Sequence, residues 1–267
     1  MENVLFTIKI PIFTLRIIYI SMRRVKFYIL AIAAVCAVAC AEETKKSSNL
    51  PVFETFEYNV IEEDNYSFTI SYEHITNTAD SEALAIIEEQ NYQATFGEYA
   101  LEEQDLQHSA EILIEDALTS MEMYNIDGDY CSMNLYQVAS IIRNDSIVCY
   151  DTFIETYSGS AHPNILHMYE CYDLAAGNAY DFSYLLDGEW YEALVTKIYE
   201  KLDAEHGDHI FASSVYDIHI PRTIYLTDSG IVFLYQPYEI AAYAYGSIAV
   251  ELTDAELEAT GAPIVWK

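Results

Sequence analysis

The chain has 267 residues, with 12 Lys+Arg against 43 Asp+Glu and a formal charge of −31. So acidic a surface repels phosphate backbones and anionic headgroups, which argues against nucleic acid as a partner. Hydrophobic residues make up 52% of the chain and 24 positions are Tyr, a composition that builds a packed core rather than a disordered coil.

Residues 1–21 are apolar but interrupted by Lys9, Pro11 and Arg16. No export signal needs such a preface, and the reading is an over-extended start, with translation beginning at Met22. Arg23, Arg24 and Lys26 then precede an uncharged run from Phe27 to Ala39, closed by Cys40. Positive start, short apolar core and small-residue cleavage site make residues 22–39 a signal peptide. Ala37-Val38-Ala39-Cys40 resembles a lipobox, so Cys40 is the expected lipid attachment site. The competing reading is a transmembrane helix, which needs ~20 apolar residues. The expected location is extracytoplasmic, on the outer membrane or cell surface, held to the membrane by the lipid. Residues 1–40 hold five of the basic residues and one of the acidic ones, leaving seven against 42, a net of −35 on the mature chain.

Residues 40–52 read as a polar tether. Phe56, Tyr58 and Val60, then Tyr66, Phe68, Ile70 and Tyr72, alternate with polar neighbours about Glu62-Glu63-Asp64-Asn65 and predict a hairpin. Helices are expected from Glu82, capped by Asp80 or Ser81, to about Thr95, and from Glu103 to about Tyr124, stopped by Asp127-Gly128. Three strands follow at about 131–142, 147–157 and 164–172. A helix over about 188–204 has Asp187 as its cap and Trp190, Leu194, Ile198 and Leu202 on one stripe. Strands are expected at 224–226, 231–235 and 247–252, and Thr253 with Glu256 predicts a capping box. Strands and helices come in blocks, so the fold class is α+β, a mostly antiparallel sheet packed with a few helices. Two subdomains of similar size are expected, 53–156 and 157–267.

Cysteine and histidine supply the candidate chemistry. If strands 147–157 and 164–172 pair about residues 160 and 161, Cys149 falls opposite Tyr172 and beside Cys171. A Cys149–Cys171 disulfide and buried free thiols are the two readings, with Cys131 the third thiol. Ser160 and His162 lie two apart on a turn, without a Gly-x-Ser-x-Gly elbow, which favours a structural histidine over a nucleophile pair. Glu205-His206-Gly207-Asp208-His209 has metal-ligand residue types but reads as a solvated loop after a helix. Asn125, Asp127 and Asp129 echo a calcium loop, yet Gly128 and Tyr136 stand where that loop does not allow them. The expectation is no metal, no cofactor and no catalytic residue.

Three segments carry a family resemblance. Tyr157-Ser158-Gly159-Ser160-Ala161-His162-Pro163-Asn164 resembles the Tyr-Thr-Gly-Gly-Ala-His turn of the extracellular domain of RsiV-like anti-sigma factors, with Ser160 in place of the second glycine. Tyr172-Asp173-Leu174-Ala175-Ala176-Gly177 resembles the family's element before its long helix. Phe233 to Ile240, through Tyr243 and Gly246, resembles its C-terminal signature. The resemblance covers about residues 53–257, its N-terminal partner matching 53–150 only loosely, and the same pair of domains also occurs beside peptidoglycan deacetylases. The resemblance implies the motif turn Tyr157, Gly159, Ala161 and His162, and a non-enzymatic domain that senses lysozyme or another basic protein. Tyr235, Tyr238, Tyr243 and Tyr245, close to the signature, are the candidate partner-binding residues; half-buried sheet positions are the other reading. Two rival functions stay open, a glycan-processing or metal-dependent envelope enzyme and a structural envelope lipoprotein.

Overall fold

The computed structural model describes residues 50–62, 65–101, 104–124 and 130–266. The expected start, signal segment, Cys40 and the tether as far as residue 49 lie outside the described residues, as do the Asp127-Gly128 stop and the calcium-like triplet. Asn49–Lys267 form one compact unit. No described helix is long and apolar enough to cross a membrane.

The fold is α+β, with eight strands and four α-helices among the described residues. A five-stranded sheet runs in chain order through β1 (Phe53–Glu62), β2 (Tyr66–Ile75), β3 (Cys131–Ile142), β4 (Ile147–Ser158) and β5 (Asn164–Asp173). All neighbours pair antiparallel except β2 and β3. A parallel pair needs a crossover, supplied here by α1 (Glu82–Phe96) and α2 (Leu106–Tyr124). The predicted alternation puts Phe68, Ile70, Tyr72, Met133 and Leu135 on one face, where Tyr92 and Phe96 of α1 and Ala110 and Ile114 of α2 cover them. Val148, Tyr150 and Tyr172 continue that core under Leu84 and Ile87.

A polar seam crosses this apolar layer. The buried Gln137 amide donates to Asn91 Oδ1 at 3.0 Å, Thr95 Oγ1 at 2.8 Å and Thr152 Oγ1 at 3.1 Å, and its oxygen accepts from Asn91 Nδ2 at 3.2 Å. A seam satisfied this fully avoids the cost of unpaired buried groups and fixes α1 against the sheet.

The second layer holds α3 (Tyr191–His206), the antiparallel sheet β6 (Thr223–Leu226), β7 (Gly230–Tyr235) and β8 (Ile248–Thr253), and α4 (Asp254–Ala259). Thr253 caps α4, and both bonds of the capping box with Glu256 are present. Lys201 Nζ bonds the Glu256 carboxylate at 2.8 Å, and that bond holds the carboxyl down at about 2. The start of α3 differs from expectation. Its N-cap is Trp190 rather than Asp187, because residues 188–191 form a turn with Tyr191 N–H donating to the Gly188 carbonyl at 3.0 Å. The Trp190 ring folds over Gly188 so closely that a Cβ there would lie 2.0 Å from it.

The expected division at residue 157 falls inside the β4–β5 hairpin, whose strands pair from Ile147↔Asp173 to Thr156↔Asn164. Ile147, Cys149 and Cys171 of that hairpin share a buried core with α3, β6, β7 and β8. Register also corrects the cysteine geometry. The turn centres on residue 160, so Cys149 lies opposite Cys171 itself, not Tyr172, and the two are joined by a disulfide with Cα atoms 4.0 Å apart. Cys131 is buried and takes part in no disulfide among the described residues.

Candidate functional site

The motif turn begins where β4 ends. Gly159 has φ 77°, a left-handed conformation that a side chain resists, and it lets the chain double back toward β5. The Ser160 hydroxyl donates to the His162 carbonyl at 2.7 Å, so it never meets the imidazole as a nucleophile would. The ring itself is held at both nitrogens. Nδ1 lies 2.9 Å from the Pro163 carbonyl oxygen, which can only accept, so Nδ1 carries the proton. Nε2 then accepts from the Tyr238 hydroxyl at 2.9 Å.

Tyr238 comes from the other end of the second layer. Past β7 the chain turns at Gln236-Pro237-Tyr238-Glu239, with Glu239 N–H donating to the Gln236 carbonyl at 3.0 Å and Gln236 N–H to the Glu239 carboxylate at 2.8 Å. Tyr238 adopts φ 71°, a costly conformation for an aromatic residue, and it holds the ring 59% exposed over His162. Tyr243 completes the knot. Its ring stacks on His162 at 3.7 Å and 16°, and its hydroxyl donates to the same Pro163 carbonyl at 2.7 Å.

Beside the knot, Tyr245 (50% exposed) stacks on His209 at 4.5 Å. Phe211, 66% exposed, is held alongside by its N–H bond to the Ile240 carbonyl at 2.7 Å. A cleft of about 510 Å³ is lined by Gln236 and Glu239 of this turn together with Leu166, Leu186, Tyr191, His219 and Arg222 among others. Glu239 Oε1 meets His219 Nε2 there at 2.8 Å.

The structure thus brings together His162, Tyr238 and Tyr243, with Tyr245 adjoining through His209 and the 238–246 segment. Tyr235 is a different case. It is fully buried in β7, its hydroxyl donates to the His219 carbonyl at 2.7 Å, and burial pushes that hydroxyl's pKa well up. It is a core residue and offers a partner no surface. Tyr157 is half-buried opposite Ser132, and Ala161 is exposed at the turn tip. Cys149 and Cys171 lie away from the knot, packed against Leu226, whose N–H points to Cys171 Sγ at 3.5 Å. His206 stands 4.0 Å from Glu205, and among the described residues no three His, Cys, Asp or Glu side chains gather closely enough to hold a metal ion.

Sequence reasoning named His209 only as a metal-ligand type and Gln236 only within the signature, and it missed Phe211. The Gln236 amide bonds both the N–H and the carbonyl of His167 on β5, at 3.1 and 2.7 Å, and so imitates a neighbouring strand on the sheet's edge. Nothing local announces this, because Gln236 and His167 are 69 residues apart.

Residues 187–254 match the model of a family described as a protein of unknown function, DUF3298. That stretch contains Tyr235, Tyr238, Tyr243 and Tyr245 but not the His162 turn. A solved DUF3298 family member from Bacteroides fragilis superposes with a TM-score of 0.65 at 19% identity, covering 79% of this chain and 94% of that one. A second, from Pseudomonas aeruginosa, gives a TM-score of 0.51 at 17% identity, covering 78% and 93%. Comparison with curated proteins gives no match. At these identities the likeness is one of fold: residues 187–254 match the DUF3298 model, and the architecture around them is similar to that of two solved members of that family.

Proposed function

We propose that this chain is a lipid-anchored, extracytoplasmic binding protein of the bacterial envelope, and that its partner is a basic protein such as lysozyme. The observation that carries the reading is the knot itself. Two segments that resemble parts of one sensing domain, 76 residues apart at His162 and Tyr238, meet in one exposed aromatic patch. Tyr238 is fixed there by a hydrogen bond and Tyr245 by stacking on His209, so little rotamer freedom is lost on binding, and such anchored tyrosines suit interface centres. The surrounding charge supports the choice of partner. Residues 50–266 contain only four Lys or Arg, and Arg143, Lys197 and Lys201 are already paired to carboxylates. The field at the patch therefore attracts a cationic surface and speeds its encounter.

Calorimetric titration of the mature chain with a basic lysozyme, at low and at moderate salt, tests the reading. Binding that weakens with salt and falls about tenfold in Tyr238→Ala is expected. No binding at low salt removes the proposal, and equal binding by Tyr238→Ala moves the contact away from the patch. Anchoring is a separate claim: lipid labelling in cells that survives Cys40→Ala would refute it.

A further inference from the structure

One edge of the five-stranded sheet is β5, which is covered at two points with a gap between them. The Gln236 amide bonds the N–H and carbonyl of His167, and the Tyr180 N–H donates to the Cys171 carbonyl at 2.8 Å. Residues two apart on an antiparallel strand turn their backbone groups to the same side. Tyr169, midway, therefore also directs its N–H and carbonyl away from β4, and neither meets a hydrogen-bond partner among the described residues. This stretch of edge opens on a cleft of about 550 Å³, lined by Tyr169, Glu170, Tyr180, Phe182, Leu186 and Arg222 among others. Arg222 is the fourth cation of residues 50–266; it is exposed, and nothing among the described residues pairs with it. Glu170 is also exposed and without an ion pair or hydrogen bond among the described residues. The chain around it still removes enough water from its carboxyl to raise the pKa. Two opposite charges thus line one cleft without meeting each other.

We propose that this cleft binds an extended peptide of about three residues with both termini free, its middle residue paired to the Tyr169 backbone, its carboxylate on Arg222 and its ammonium at Glu170. A strand rises ~3.3 Å per residue, so the interval from His167 to Cys171 is ~13 Å long. Gln236 and Tyr180 close its two ends. A longer strand, whether from a second copy or from a folded partner, is therefore stopped from adding to this edge. Backbone pairing supplies affinity whatever the side chains, and Phe182 and Leu186, the latter 38% exposed, offer apolar surface to the middle one. A guanidinium holds a carboxylate by two parallel hydrogen bonds. One unpaired cation in so acidic a chain suits a single carboxylate, and a polyanion is repelled. Glu170 gains from the same ligand, since an ammonium beside it offsets the desolvation of its charge. Asp181, also at the cleft, is already occupied by the Ser183 N–H and hydroxyl at 2.8 and 2.9 Å.

The test is calorimetric titration of the full mature chain with alanyl-leucyl-alanine, its C-terminal amide and its N-acetyl form, with exchange of the Tyr169 amide followed by NMR. The free tripeptide is expected to bind, and each blocked form to bind at least about tenfold more weakly. Arg222→Gln is expected to bind the free peptide and its amide alike, and Glu170→Gln to bind the free and acetylated peptides alike. Both side chains are exposed, so each variant should keep the thermal transition of the parent chain. The Tyr169 amide is expected to exchange quickly in the ligand-free chain and slowly with the tripeptide bound. No binding at millimolar peptide would overturn the proposal. So would binding that leaves the Tyr169 amide unprotected, or that keeps its full strength and its preference for the free carboxylate in Arg222→Gln. Protection that grows with protein concentration in the absence of peptide would give the edge to a second copy and overturn it as well. Tyr238→Ala is expected to change none of these results, which keeps them independent of the lysozyme titration.

Discussion

Glu88 enters the sheet from α1 at the point where β2 and β3 part. Their parallel pairing ends at Ser71↔Tyr136, and beyond it two carboxylates fill the gap. Glu88 Oε2 accepts Ile75 N–H at 2.7 Å and Oε1 accepts the Tyr72 hydroxyl at 2.9 Å, while Glu73 Oε2 accepts Ala139 N–H at 2.7 Å. Burial pushes the Glu88 carboxyl up to about 7, against the two hydrogen bonds that favour its charge. Tyr72, Tyr150 and Tyr172 face it across the core, and the Tyr150 hydroxyl has no hydrogen-bond partner among the described residues. A carboxyl raised from its ordinary 4.5 to about 7 binds its proton more tightly in the folded chain than in the unfolded one. Its contribution to stability is full below about 4.5, declines as pH rises through 7, and levels off above. Glu88→Gln removes the penalty and keeps the Ile75 N–H bond on the amide oxygen, while the Tyr72 bond reverses, the amide nitrogen donating to the hydroxyl oxygen. Urea unfolding should show little change at pH 4 and a gain at pH 8 of at most ~3 kcal/mol, since each unit of pKa is worth ~1.4 kcal/mol. Equal destabilisation at both pH values would mean the carboxyl is not the titrating group. Nothing local marks this role, because Glu88 meets Ile75 and Tyr72 only through the packing of α1 on the sheet.

Elements were far more legible than such residues. Strand alternation placed β3 to β5 within one residue and β1 and β2 within three, since one face of each strand is buried and the period of two is strict. The Thr253–Glu256 box was readable for a similar reason, both partners being three residues apart. Register was not, because a shift of one residue at the 159–163 turn costs nothing in the pattern yet decides which residue faces Cys149. The knot was half legible: its two segments could be picked out, but their meeting depends on how the second layer packs, and Tyr235 and Tyr238 look equivalent until one is seen inside β7 and the other outside it. The disulfide spans 22 residues of sequence. A loop of that size is worth ~3 kcal/mol by the chain-entropy argument. The hairpin pairing around it remains when the bond is cut, so reduction should lower stability by no more than that without abolishing folding. Peptide mapping without reductant should return Cys149 and Cys171 as one linked pair and Cys131 outside any disulfide. Three free thiols in exported protein would refute the pairing.

At the scale of the whole molecule, the two layers are joined too closely for either to fold alone. Arg143, in the β3–β4 turn at φ 55°, sends its guanidinium to both carboxylate oxygens of Asp254 at 2.9 and 3.0 Å and to the Gly230 carbonyl at 2.7 Å. Its backbone N–H bonds Asp228 at 2.7 Å. One residue of the first layer therefore fastens β7, the turn before it and the start of α4. Tyr169 stacked on Tyr225, Gln236 clamped on His167, and a core running from Ile147 and Cys171 to Phe233 make the same join elsewhere. Such coupling predicts a single unfolding transition, with far-UV dichroism and tyrosine fluorescence coincident. Arg143→Ala breaks a largely buried ion pair and should cost ~3 kcal/mol while leaving the transition single. Arg143→Lys recovers part of this, as an ammonium cannot span both Asp254 oxygens. Fragment 157–267 cuts away β4, leaving Cys171 without its partner and one side of the second core open to water. It should remain unfolded at temperatures where the full chain is folded. Two separated transitions in the intact chain, or a cooperatively folded 157–267 fragment, would restore the division into two independent domains and break the argument for a single unit.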